Sequence, residues 1–219
     1  MRLLLIRHGQ TSGNVLGQLD TAFPGPGLTE LGERQAAALP NSLAGEDFTA
    51  IYASTLIRTQ LTASPLANAL GLEATVLDGL QEIEAGALEK LTDHESHHQY
   101  MSTVFAWTDG DLDIRMPGAG DGHEFFARYD AAIAKVVAAG DESAVVVSHG
   151  AAIRCWAGRR AYDVGREFAA THQLQNTGIV ALEGDPERGW HLHHWDQSPV
   201  SGLALAGRTA EDPTGDAVE

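Results

Sequence analysis

Arg2-Leu3-Leu4-Leu5-Ile6-Arg7-His8-Gly9 and Ser143-Ala144-Val145-Val146-Val147-Ser148-His149-Gly150 share one plan. Each is a short apolar run that passes straight into a His-Gly step. Runs of that length, bounded by polar residues, read as buried strands, here Arg2 to Ile6 and Ser143 to Val147. In open α/β sheets, ligands bind beyond the carboxyl ends of the strands. Both histidines therefore project towards one sheet edge. If the two strands are neighbours, His8 and His149 face each other across a single pocket.

Working outward, the remaining pattern alternates helices with strands. Thr29 to Leu43 has helical spacing, with Pro40 expected to kink or shorten it. Phe48 to Ala53 reads as a strand, and Ser54 as the N-cap of a helix running to about Leu70. Glu73 to Leu77 reads as a strand, Thr92 to Trp107 and Glu124 to Ala139 as helices, and Met116 to Gly122 as a loop. A helix follows from Ala151. Gly178 to Glu183 and Trp190 to Trp195 read as a late hairpin. This order predicts an α/β fold, a three-layer α/β/α sandwich with a mostly parallel central sheet. Residues 1–200 are expected to form one domain with a substrate-side insert at about 89–122, and residues 201–219 a loose C-terminal tail.

Bulk composition narrows the partners. The chain has 219 residues, 43% of them hydrophobic, which is enough for one sizeable core. Asp and Glu number 30 against 14 Lys and Arg, a formal net charge of -16. Such a surface disfavours nucleic acid and anionic membranes. The single cysteine, Cys155, rules out an intrachain disulfide and fits a reducing, cytoplasmic setting. No apolar run approaches a membrane span, and the apolar start is too short and lacks the cleavage site of a signal peptide. Pairing of sheet edges into a homodimer is compatible with this pattern.

Four segments carry residues suited to phosphoryl chemistry. In Arg7-His8-Gly9-Gln10-Thr11, a neutral imidazole is a good nucleophile. Arg7 can fork onto phosphate oxygens, Thr11 and Asn14 add neutral donors, and Gly9 sits where backbone can approach a ligand. In Ser54 to Ala63, Arg58 lies in the first turns of a helix whose N-terminus favours anions. In Leu80 to Gly86, Glu82 and Glu84 are each able to protonate a departing oxygen, and spacing does not choose between them. His149, if protonated, would stabilise the phosphoryl oxygens, with Gly150 beside it and Arg154 one turn further on. Each feature alone also has an ordinary structural reading: a strand-end histidine bonded to a carbonyl, a solvent-facing arginine, exposed loop glutamates.

Together, in order, these segments resemble the histidine phosphatase superfamily, with its phosphoglycerate-mutase-like fold. Arg7-His8-Gly9-x-Thr11, Leu28-Thr29-x-x-Gly32, Ser54-x-Leu56-x-Arg58, Leu80-x-Glu82 and Ser148-His149-Gly150 carry the resemblance. It implies that His8 is the phosphorylated nucleophile and that Glu82 is the proton donor. Arg7, Arg58 and His149 would form the phosphate pocket, with Asn14, Thr11 and Gly150 as further contacts. It implies no metal and no cofactor. Gly150 stands where the acid-phosphatase branch has aspartate, so the mutase-like branch fits better. The stretch from Glu89 to Gly122 holds only Lys90 and Arg115 as basic residues, whereas true mutases carry a basic insert with paired arginines.

The reading that follows is a metal-independent phosphomonoester hydrolase acting on a small phosphorylated metabolite. A phosphoglycerate mutase-type isomerase and a non-catalytic phospholigand-binding module are the alternatives. His94, His97 and His98 are expected to line the substrate mouth rather than to bind metal, and His191, His193 and His194 to belong to a strand.

Overall fold

The computed structural model describes residues 1–217 except 201, 203, 204 and 208–211. A six-stranded sheet forms its centre, in the order β3-β2-β4-β1-β5-β6. The strands are β1 (Arg2–Arg7), β2 (Ala50–Ala53), β3 (Ala74–Val76), β4 (Ser143–Ser148), β5 (Ile179–Asp185) and β6 (Gly189–Asp196). The helices are α1 (Ser12–Leu16), α2 (Glu30–Ser42), α3 (Ile57–Leu70), α4 (His94–Asp109), α5 (Gly122–Ala138), α6 (Gly150–Arg160) and α7 (Gly165–Thr171). Strands β1 to β4 are mutually parallel, whereas β5 and β6 run antiparallel as a hairpin.

Because strand side chains alternate between faces, the apolar runs divide themselves between two cores. Leu3, Leu5, Val146 and Leu182 pack with Tyr100, Phe105, Tyr129, Trp156 and the helices that carry them. Leu4, Ile6, Val145 and Val147 pack on the opposite face with Leu39, Ala63 and Leu66 of α2 and α3. Cys155 is buried in the first core, where its thiol donates to the Val104 carbonyl and burial pushes its pKa up to about 12.

The decisive pairing is β1 with β4. They are adjacent and parallel, with Arg7 opposite Ser148, so His8 and His149 leave the same edge side by side. Several local readings are corrected. Helix α2 ends at Ser42, two residues after Pro40. Ser54 does not cap α3; Leu56 occupies that position and the helix begins at Ile57. Two short helices, α1 and α7, escaped the periodic pattern. Within the expected loose tail, Pro213, Thr214 and Gly215 are buried and Gly215 accepts from the Leu174 amide, whereas Gly202, Ala206 and Ala217 are exposed. Among the described residues, no helix is long and apolar enough to cross a membrane.

Candidate active site

The parallel pairing brings the His8 and His149 rings to 5.3 Å between centroids, edge to face. Arg7, His8, Arg58, Glu82 and His149 are all buried, none more than 4% exposed. For charged groups that degree of burial demands partners, and the partners reveal how the site is set.

His8 Nδ1 lies 2.8 Å from its neighbour's carbonyl, Gly9 O, and must donate to it. That bond fixes the tautomer and leaves Nε2 with its lone pair free, the form a nucleophile needs. Burial, reinforced by the nearby Arg58 and Arg7 charges, holds the His8 pKa well below the usual imidazole value. The ring is therefore neutral at physiological pH.

His149 stands as the backbone N-cap of α6 without a side-chain cap bond. Its Nε2 is 2.7 Å from Ser54 Oγ. Its Nδ1 has no hydrogen-bond partner although it is buried. Burial, then Arg58 and His8, holds its pKa well below the usual value too.

Glu82 caps the same helix that His149 begins. Its two oxygens accept from the Ala151 amide at 3.2 Å and the Ala152 amide at 2.8 Å, and Oε1 also accepts from Ile83. Burial raises its pKa, opposed by those amides and by Arg58. Glu84, by contrast, is exposed. Arg128 positions the Glu82 loop by donating to the carbonyls of Gly79, Gln81 and Glu82, each at 2.8 Å.

The two arginines are tethered, each leaving one buried nitrogen without a partner. Arg58 Nη2 donates to the Asp20 carbonyl at 3.1 Å, while the buried Nη1 has no partner. Arg7 commits both terminal nitrogens elsewhere, while the buried Nε has no partner. Two buried arginine donors, Arg7 Nε and Arg58 Nη1, and the buried His149 Nδ1 are thus unsatisfied near His8. Orphaned buried donors are costly, and this set suits an anion with several acceptor oxygens.

Other expected residues have different places. Thr11 caps α1, and Asn14 returns the bond from its side chain to the Thr11 amide. Asn14 Oδ1 also accepts from Asn176, whose other contact is the His8 carbonyl. Gly150 is required by crowding: a Cβ there would meet Thr214 O at 2.6 Å and Arg7 Nε at 2.9 Å. Gly9 packs on the Gly32 backbone and donates to Thr62 Oγ1. Arg154 is bonded to four backbone carbonyls, including those of Thr214 and Asp216.

A cavity of about 720 Å³ opens beside Glu82, lined among others by Thr21, Phe23, Asp78, Gln81, Glu84 and Arg128. His94, His97 and His98 do not line it; His97 is buried with Nε2 on the Gly17 carbonyl at 2.8 Å. Among the described residues, no group of three or more His, Cys, Asp or Glu is placed to hold a metal ion.

Ser54 is the contact that sequence reasoning misassigned. Its signal was available: β2 pairs with β4 with Ala53 opposite Val147, which sets Ser54 on the edge that carries His149.

Comparison with known proteins places this arrangement. A PE-PGRS family protein of Mycobacterium tuberculosis is 41% identical over 217 residues, covering 91% of this chain but only 37% of that protein. An Enterobacter protein named "Probable phosphoglycerate mutase GpmB" is 33% identical over 161 residues, covering 71% of this chain and 72% of that protein. The structure of a mycobacterial glucosyl-3-phosphoglycerate phosphatase in complex with VO3 superposes with a TM-score of 0.73 at 27% identity, over 89% of this chain and 98% of that one. The model of the histidine phosphatase superfamily, branch 1, matches residues 3–198, and the chain belongs to that family.

Proposed function

We propose that this chain is a phosphomonoester hydrolase that works through a phosphohistidine at His8, with a small phosphorylated metabolite as substrate. The observation that carries the reading is the set of three unpartnered buried nitrogens around a neutral histidine whose Nε2 is free.

In this mechanism the phosphoryl group enters with its oxygens against Arg7 Nε, Arg58 Nη1 and His149 Nδ1. Arriving negative charge raises the affinity of His149 for a proton, so both its ring nitrogens donate, one to phosphate and one to Ser54. His8 Nε2 attacks phosphorus in line with the leaving oxygen. The P–O bond breaks and Glu82, kept protonated to higher pH by burial, supplies the proton to the departing alkoxide. Glu82 as carboxylate then takes a proton from water. That water attacks the phosphohistidine, breaking the P–N bond and releasing inorganic phosphate.

Hydrolysis is preferred over isomerisation because the cavity beside Glu82 carries Asp78, Glu84 and Glu89 against a single arginine, and Arg128 is occupied by three backbone carbonyls. A surface of that sign does little to retain a carboxylated product for return of the phosphoryl group. The mutase name of one relative keeps the isomerase as the second reading.

Quenching a reaction with a labelled phosphoester should trap acid-labile, base-stable phosphate on His8, and His8→Ala should abolish both label and phosphate release. Normal turnover by His8→Ala would defeat the proposal. Primer-dependent interconversion of monophosphoglycerates faster than phosphate release would replace it with the isomerase.

A further inference from the structure

Arg7 carries the phosphate only if something holds it, and the holder comes from the far end of the chain. Its Nη2 donates to Asp212 Oδ1 at 2.8 Å and to Thr214 Oγ1 at 2.9 Å. Its Nη1 donates to the Leu174 carbonyl at 2.8 Å and lies 2.6 Å from Asp212 Oδ2. The carboxylate and guanidinium therefore meet in a forked pair, the geometry that fixes an arginine in plane as well as in place. The Arg7 side chain is fully buried and that of Asp212 is 13% exposed. Solvent screens such a pair weakly, so it constrains orientation more than a surface bridge does.

The segment bearing Asp212 is itself anchored. Arg154 donates to the carbonyls of Thr214 and Asp216, and the Leu174 amide donates to Gly215 O. Gly215 lies directly against the guanidinium, since a Cβ there would fall 1.9 Å from Arg7 Nη1. Arg154 thus grips the backbone of this short stretch while Arg7 binds the Asp212 and Thr214 side chains, and the stretch presents Asp212 to Arg7.

We infer that Asp212 is a positioning residue for the phosphoryl-transfer site, acting through Arg7: it occupies the terminal nitrogens so that Nε alone points at the phosphoryl group. The inference rests on the phosphate-binding reading of Arg7 given above. Asp212 touches no substrate in this scheme. It sets the angle of the guanidinium and offsets its charge, so that phosphate is bound without being trapped as product.

The test compares wild type with Asp212→Ala and Asp212→Asn in two assays: hydrolysis of p-nitrophenyl phosphate, and equilibrium binding of inorganic phosphate by calorimetry. Circular dichroism confirms folding, and Asp212→Asn, which keeps one acceptor for Nη2, covers the case in which the alanine variant fails to fold. A misaimed donor is expected to lower kcat/KM about 10- to 100-fold in Asp212→Ala, with Asp212→Asn in between and phosphate affinity falling in parallel. In an Arg7→Ala background, Asp212→Asn should change kcat/KM less than about twofold, which a purely structural role would not produce. Unchanged kinetics in folded Asp212 variants would overturn the inference. So would a gain in activity or phosphate affinity, which would make the segment an inhibitory plug. Wild type that neither binds phosphate nor turns over the ester would instead overturn the phosphohydrolase reading on which the inference stands.

Discussion

Ser54 Oγ sits 2.7 Å from His149 Nε2 and leaves Nδ1 as the ring nitrogen without a partner. The contact joins the ends of two adjacent parallel strands, β2 and β4, and it assigns each ring nitrogen a separate job.

Ser54→Ala should therefore impair catalysis more than folding. The hydroxyl's loss removes an acceptor for an imidazolium, a bond to a charged group, and kcat/KM should fall about 10- to 100-fold. Helix α3 loses no N-cap, because Leu56 holds that position. Steady-state kinetics beside a thermal melt check this; a large loss of melting temperature with intact kinetics would contradict it.

Glu82→Gln should reveal the proton donor through the leaving group. Alkyl phosphates need protonation as the bond breaks, so their kcat/KM should drop on the order of 100- to 1,000-fold. p-Nitrophenyl phosphate, whose leaving oxygen needs little help, should lose far less. Because burial raises the Glu82 pKa, the wild-type rate on alkyl esters should decline on the basic side as this proton is lost, and Glu82→Gln should lack that limb. Equal losses on both substrate types would remove Glu82 from the acid role.

Acid should destabilise the fold through the paired histidines. His8 and His149 are held neutral in the folded chain well below the ordinary value of 6.5, yet charge normally when unfolded. Below 6.5 the unfolded state thus binds more protons, so stability falls as pH drops through that window and is restored above it. The melting temperature should decline from about pH 7.5 to about 5.5, and the decline should shrink in a His8→Gln, His149→Gln double variant. The same slope in both proteins would refute the assignment.

Gly150→Ala tests the crowding behind the site. The added methyl meets Thr214 O and Arg7 Nε, neither of which is the loose end of a flexible chain. Overpacking of this kind costs about 1–3 kcal/mol. Phosphate affinity should fall as well, because the displaced atom is the Arg7 donor left for ligand. Chemical denaturation and phosphate titration measure the two effects separately.

Much of this site was legible because its parts sit at strand ends. Leu3 to Ile6 and Ala144 to Val147 are readable as strands from local pattern alone, and a His-Gly step after each places both histidines on one edge. Arg58 was legible as an early helical residue. Spacing left Glu82 and Glu84 equivalent, since no local spacing encodes the burial that separates them, and only the family resemblance named Glu82. Ser54 was read as a cap because a serine between strand and helix usually is one; the chain instead runs two residues further before turning. Asp212 was out of reach for a different reason. Its partner lies 205 positions earlier, and an acidic, Gly-rich stretch reads as solvated when its neighbours in space are unknown. Helix α1 spans only five residues, too few to show a period.

The register of β1 on β4 has a wider consequence for how this molecule tolerates change. A slip by one residue would turn Leu3 and Leu5 towards α2 and α3, and Leu4 and Ile6 towards α5 and α6, unmaking both cores together. The separation of His8 and His149 is thereby insured by the most expensive part of the fold. Insertions that lengthen the loops leave it untouched, whereas a one-residue insertion inside either strand forfeits structure before it can retune the chemistry.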